Sequence, residues 1–280
     1  GLTLPHFIHS AGRFPMQRRA ALWSAFIGAA LATLAPAFAQ NASTPPAKMD
    51  IAGVRIGMTE ADARAALTAF DASMRIVRTA SRYNYSAREG RPENLSTPEF
   101  LDRLEVQPAG GGFELFIVYF ATPPSEPRVI AIERPNLAHT HPPTQQQFRS
   151  SLLAIYGQPS FAEAHQLVWE EAGKPRCAFT RRGNRPYAGH ELSRNRIVPT
   201  FRNERRYQSL GLTLASDPAA CGQVLIYGYD IWSGPVRAAK ASLVDLGPVW
   251  SAEIRSSQWV DGLKAEAKRK ADAQAQAPKL

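Results

Sequence analysis

Apolar residues recur at helical spacing in two places along the chain, and each helical stretch is followed by strand-like segments. Ala63, Ala66, Leu67 and Phe70 stand at i, i+3, i+4 and i+7, which is one face of a helix. Thr59 precedes that face as an N-cap, and Asp62 three residues on completes a capping-box pattern. The pattern returns at Thr144 and Gln147, with Phe148, Leu152, Ile155 and Tyr156 as the apolar face. Gly157 ends this second helix and Pro159 bars its continuation. The two caps are 85 residues apart, so helix-then-strands occurs twice.

Between and after the helices the pattern shortens to strand period. Ile51, Val54 and Ile56 alternate loosely before the first helix. Arg75 to Thr79 is β-rich, and Ser81 to Pro98 reads as a long polar connection. Leu104 and Val106 share one face of a strand over Leu101 to Val106. Phe113 to Phe120 is nearly all apolar and is entered through Gly110 to Gly112, so it reads as a central strand. Val129 to Ile132 reads as a short strand between Pro127 and Pro135, with Arg134 to Pro143 as a linker. Later strands are expected at Leu167 to Trp169, Leu210 to Leu214, Val224 to Tyr229 and Val236 to Leu246. Val249 to Lys270 predicts a C-terminal helix that docks through Trp250, Ile254, Val260 and Leu263 and then runs into solvent, with Gln274 to Leu280 frayed.

Helices do not alternate singly with strands, and the turns suit antiparallel pairing. The fold class expected is therefore α+β: two tandem helix-on-antiparallel-sheet units and a C-terminal helix. The first unit spans 50–135 and the second 136–246, with 247–280 as helix and tail.

The N-terminal segment changes the picture of where the protein works. Arg18 and Arg19, an uncharged apolar run from Ala20 to Ala35, and Ala37-Phe38-Ala39 have the order of a secretory signal peptide. Cleavage is expected after Ala39, and residues 1–15 read as upstream of the start at Met16. The apolar run is shorter than the roughly 20 residues a membrane span needs. Residues 40–49 are small, polar and Pro-rich, a flexible leader. The expected location is the periplasm or the cell exterior, and the Arg pair leaves the twin-arginine route open alongside the general one.

Export bears on the two cysteines, Cys177 and Cys221. An oxidising compartment and an even count point to a disulfide. The loop it closes would stabilise by roughly 4 kcal/mol on chain-entropy grounds. Two free thiols or a metal site are the alternatives, although two cysteines without nearby histidines do not make a zinc site.

Charge is local rather than general. The whole chain carries +9, and +6 after loss of residues 1–39. Lys174 to Arg206 alone carries ten basic residues against Glu191 and Glu204, which is +8 over 33 residues. The rest of the expected mature chain sums to −2. Nine of the ten are Arg, the side chain suited to bidentate contact with phosphate or carboxylate. Arg181, Arg182, Arg185, Tyr187, Arg194, Arg196, Arg202, Arg205 and Arg206 are the candidate contact residues. A solvated loop whose charges only aid solubility is the competing reading.

The opening Ile51-x-Gly53-Val54-x-Ile56-Gly57-Met58-Thr59 before an Ala/Leu-rich helix resembles the start of secreted bacterial repeats. These include the SmpA/OmlA group of outer-membrane assembly lipoproteins and the β-lactamase inhibitory proteins, as well as proteobacterial periplasmic proteins of this layout. Ile155-Tyr156-Gly157-x-Pro159 resembles the end of such a helix. The resemblance implies helices packed on an antiparallel sheet, with the unit in tandem. It carries over no lipid anchor, because no Cys follows the signal, and no inhibitory contact residues.

Motifs for catalysis are weak. His190-Glu191 is followed at the required position by Arg194, so the zinc-protease pattern fails. There is no G-x-S-x-G elbow, no phosphate loop and no dinucleotide fingerprint. His139 and His141 could share a metal only with a third ligand, for which His165 and His190 are candidates that no spacing selects. Tyr227 and Tyr229 face one side of a strand, and Glu170 and Glu171 point apart. Trp169, Trp232, Trp250 and Trp259 read as core or sheet-edge residues. No catalytic residue, metal or cofactor is assigned. The expectation is a non-enzymatic binding or envelope protein, contacting an anionic envelope component or an acidic protein face through the Arg-rich insertion. An envelope-acting hydrolase, or a structural component with a solvated basic loop, are the rivals.

Overall fold

A computed structural model describes residues 49–88, 94–112, 115–138, 141–175, 179–180, 212–213, 218–230 and 234–274. Both predicted capping boxes form. Helix α1 spans Glu60–Phe70, with the Thr59 hydroxyl accepting from the Asp62 N–H and the Asp62 carboxylate accepting from the Thr59 N–H. Helix α2 spans Gln145–Tyr156 with the same reciprocal pair between Thr144 and Gln147. It ends at Gly157, whose φ of 73° is a left-handed value that glycine adopts without strain.

The strands assemble into one eight-stranded sheet in which every pairing is antiparallel. From one edge run β1 (Arg75–Ser81), β4 (Phe100–Gln107), β5 (Phe116–Phe120) and β6 (Val129–Ala138). From the other run β7 (Phe161–Glu163), β8 (Gln166–Glu170), β11 (Gln223–Tyr229) and β12 (Ala238–Asp245). Each series advances inward in chain order, and β6 pairs with β12 at the centre. The protein is thus α+β, as the pattern implied. Two short ladders lie outside the sheet: β2 (Asn84–Tyr85) with β3 (Leu95–Ser96), and β9 (Phe179–Thr180) with β10 (Leu212–Thr213). The first sits inside the stretch expected to be a plain connection.

One strand is longer than expected. The segment Arg134 to Pro143, expected as a linker, begins as strand: β6 continues through Pro135 to Ala138. Proline cannot donate to a ladder and is tolerated in a sheet at irregularities. The β6–β12 register shifts between Ala239 and Ala241, opposite Pro135 and Asn136, so the missing N–H falls at the bulge.

The sheet is covered on both faces. Leu104, Phe116, Val118, Phe120, Ile132, Trp169, Leu225, Tyr227 and Leu243 face one side, with Ala63 and Leu67 of α1 and Phe148, Leu152 and Tyr156 of α2. Tyr119, Ile130, Val168, Val224, Ile226 and Val244 face the other. There they meet helix α3, Leu246–Ala273, through Leu246, Val249 and Ala252. Antiparallel sheets often leave one face to solvent and then alternate apolar with polar. Here the central strands lie between helices, which is why they read as nearly continuous apolar runs.

Two expectations about helix faces need correction. Ile155, taken as part of the α2 apolar face, is 58% exposed; the inward positions are Phe148, Leu152 and Tyr156. Phe70 at the last turn of α1 is 49% exposed. Helix α3 extends further than expected, and past Leu263 it is mostly exposed, as its polar composition implied, with Ala267 and Ala271 half-buried. It is also tied down at mid-length. The buried Ser256 hydroxyl bonds the Thr122 hydroxyl at 2.7 Å, and Arg255 Nε donates to Ser125 Oγ at 3.0 Å.

Candidate functional site

The predicted Arg-rich insertion leaves the sheet after β8 and returns before β11. Arg181, Arg182, Arg185, Tyr187, Arg194, Arg196, Arg202, Arg205, Arg206 and Cys177 lie outside the described residues. What is described is the stem and the root. The β9–β10 ladder pairs Thr180 with Leu212 and Phe179 with Thr213, so the two ends of the segment 181–211 leave side by side. Below it, the Glu171 N–H donates to the Gln223 carbonyl at 2.9 Å, and the Glu171 carboxylate accepts from the Gln223 N–H at 3.0 Å. Cys221 is buried in the α3-side core. Gly247 lets the first turn of α3 close on this root, because a Cβ there would stand 2.7 Å from the Cys221 carbonyl and 2.8 Å from that of Ala219.

The root is acidic where the insertion is basic. Burial first, and the nearby Glu171 carboxylate second, push the Asp245 carboxyl from its ordinary 3.8 up to about 6. The Gly247 amide and the Lys174 ammonium oppose the rise without cancelling it. Sequence spacing gave no hint of this pairing, because residues 171 and 245 meet only through the strand order.

A second concentration of polar groups lies on the α1/α2 face of the sheet. Tyr227 and Tyr229 face the same way, as alternation predicted, and both are largely buried. Tyr156 Oη donates to the Asp50 carbonyl at 2.9 Å and lies 3.1 Å from Tyr227 Oη. The single Tyr156 proton is committed to Asp50, so Tyr227 is the donor within the pair. Burial pushes both phenols above their ordinary value of 10. They are fixed neutral hydrogen-bonding groups, not nucleophiles. Arg149 Nη1 donates to Tyr229 Oη at 2.6 Å and to the Glu163 carbonyl at 2.7 Å. Trp169 is 1% exposed and donates its indole N–H to the Gly157 carbonyl at 3.1 Å, which confirms it as core. Trp250 and Trp259 are half-buried on α3, and Trp232 lies outside the described residues.

Beside this cluster stands Arg134, half-buried on β6. Its guanidinium carbon is 5.0 Å from the Phe116 ring centroid and 5.6 Å from that of Phe70. Burial lowers its pKa, against opposing interactions with the Tyr227 and Tyr156 hydroxyls. The expected linker boundary had hidden this residue. The signal that could have found it is a lone cation within an otherwise β-rich run, Val129 to Ala138.

A third feature is a cleft of about 440 Å³ between the start of α1 and the 121–127 loop, with Glu60, Arg78, Leu101, Pro123 and Ser125 among its walls. Its charges are spent internally, since Glu60 pairs with Arg64 at 2.9 Å and Arg78 at 3.5 Å. His141 and His165 are described, and His139 and His190 are not. Among the described residues, no group of three or more His, Cys, Asp or Glu could hold a metal ion, and no helix is long and apolar enough to cross a membrane. No family model, curated protein or solved structure matches the chain.

Proposed function

We propose that the protein is an exported, non-enzymatic binding protein that presents an Arg-rich insertion to an anionic envelope component or an acidic protein face. The observation that carries this reading is the concentration of +8 within 33 residues on a chain whose expected remainder sums to −2. Such a patch steers and holds polyanions, with affinity that falls as salt rises. The paired stem at β9–β10 supports it by bringing both ends of the segment to one place.

Two further elements belong to the same proposal. The scaffold is a duplication, two helix-plus-four-strand units joined through their last strands. In support, α1 precedes β1, β4, β5 and β6 as α2 precedes β7, β8, β11 and β12, and each helix opens on a Thr-based capping box. Export after Ala39 exposes Cys177 and Cys221 to an oxidising compartment, and a bridge between them closes the loop that contains the insertion.

The test is chromatography of the exported protein on a polyanionic matrix across a salt gradient, beside the triple variant Arg181→Gln, Arg182→Gln, Arg185→Gln. Retention that weakens with salt, and weakens again in the variant, is the expected result. Retention indifferent to salt, or equal in the variant, overturns the reading.

A further inference from the structure

The register of the sheet places Arg134 in the seam between its two halves. Reading across the α1/α2 face, Phe116 on β5 and Ala241 on β12 flank it, and Tyr227 on β11 stands beyond Ala241. The small Ala241 leaves Arg134 and Tyr227 as the large side chains that approach each other over the seam. Each half contributes to the surroundings: Phe70 and Phe116 from the first, Tyr156 and Tyr227 from the second.

A cation is costly in this row. Its aromatic neighbours attract it through their faces but neutralise no charge. Its Nε is buried and has no hydrogen-bond partner. Among the described residues no carboxylate forms an ion pair with it. Withdrawing even part of an unpaired guanidinium from water costs free energy, and an apolar residue of similar volume would pack here without that cost. The rest of the row is apolar or carries neutral tyrosine hydroxyls.

We propose that this seam binds a small monocarboxylate, with Arg134 as its charge partner. The paired N–H groups of a guanidinium match the two oxygens of a carboxylate. One cation beside neutral hydroxyls balances one negative charge, not the two of a phosphate. Phe70, half-exposed and in edge-on contact with Phe116 at 5.5 Å, supplies an aromatic surface for the non-polar body of the ligand. This site is independent of the Arg-rich insertion, so either can fail alone.

The experiment is calorimetric titration of the full chain with benzoate and, separately, with inorganic phosphate. The parent is expected to bind benzoate saturably, and phosphate more weakly. Arg134→Met keeps the volume and removes the charge; it is expected to stay folded by circular dichroism and to lose benzoate binding. Arg134→Lys is expected to weaken benzoate by about tenfold or more, since an ammonium cannot make the planar two-point contact. Phe70→Ala trims a partly exposed ring and is expected to weaken benzoate several-fold, which keeps the test decisive if Arg134→Met does not fold. Absence of saturable benzoate binding, equal binding by a folded Arg134→Met, or tighter binding of phosphate overturns the proposal.

Discussion

Asp245 offers a direct test of the electrostatics at the root of the insertion. Its carboxyl is raised from 3.8 to about 6 by burial first and by Glu171 second. A raised acid is bound more tightly to its proton in the folded state than in the unfolded chain. Folding therefore carries no penalty from this group below about pH 4. The penalty grows as pH rises from 3.8 towards 6, where the folded protein resists ionisation, and is constant above that. Each unit of pKa is worth about 1.4 kcal/mol, so a fully buried group would lose about 3 kcal/mol across this window. Asp245 is only partly buried, and screening by solvent reduces the expected figure to about 1–2 kcal/mol. Asp245→Asn removes the titration and keeps the shape. Asp245 precedes α3 as its N-cap residue, and the amide oxygen of Asn can still accept from the Gly247 N–H that the carboxylate faces. Urea denaturation at pH 3.5 and pH 7.5 is the assay. The variant should match the parent at the lower pH and exceed it by about 1–2 kcal/mol at the higher. A stability difference that is the same at both values, or a variant weaker at pH 7.5, would refute the burial argument.

Four further substitutions test packing, buried hydrogen bonding and helix capping. Leu67→Ala removes a fully buried side chain between α1 and the sheet and should cost about 3 kcal/mol in urea denaturation; a loss below about 1 kcal/mol would mean that the helix is loosely docked. Ser256→Ala strips the buried Thr122 hydroxyl of its 2.7 Å partner, with an expected loss of about 1–3 kcal/mol by thermal denaturation, whereas Arg255→Ala, at an exposed contact, should cost less. Thr144→Ala breaks the capping box of α2 and should cost about 1 kcal/mol, read as a drop in the denaturation midpoint at unchanged slope.

Much of this fold was legible where local chemistry alone decides structure. A threonine three residues before a carboxylate or amide fixes a helix start whatever the rest of the chain does, and both starts form as read. Strand existence was legible too, since period-two burial on Leu104 and Val106, or Tyr227 and Tyr229, needs no partner to be recognised. The extent of β6 was not. Pro135 is a punctuation mark in sequence, and it is tolerated because β6 itself bulges there against the neighbouring strand β12. That neighbour is about a hundred residues away in the chain. Likewise the exposure of Ile155 follows from how α2 is rolled against the sheet, which helical spacing leaves free by one position.

The same limit explains why charge could be counted but not placed. Arginines clustered in sequence, such as those between Lys174 and Arg206, announce themselves through density. A single arginine announces itself only through what pairs beside it. Arg134 next to Glu133 and Pro135 reads as an ordinary polar turn until the register sets Phe116 on one side and Ala241 on the other. Its neighbour Glu133 points to the opposite face of the sheet, near Tyr119, so the two charges adjacent in sequence do not neutralise each other in space. That separation by the pleat leaves a cation on the helix-bearing face. Closing the fold around it without an anion is costly, and that cost is the physical ground for seeking a ligand at the seam.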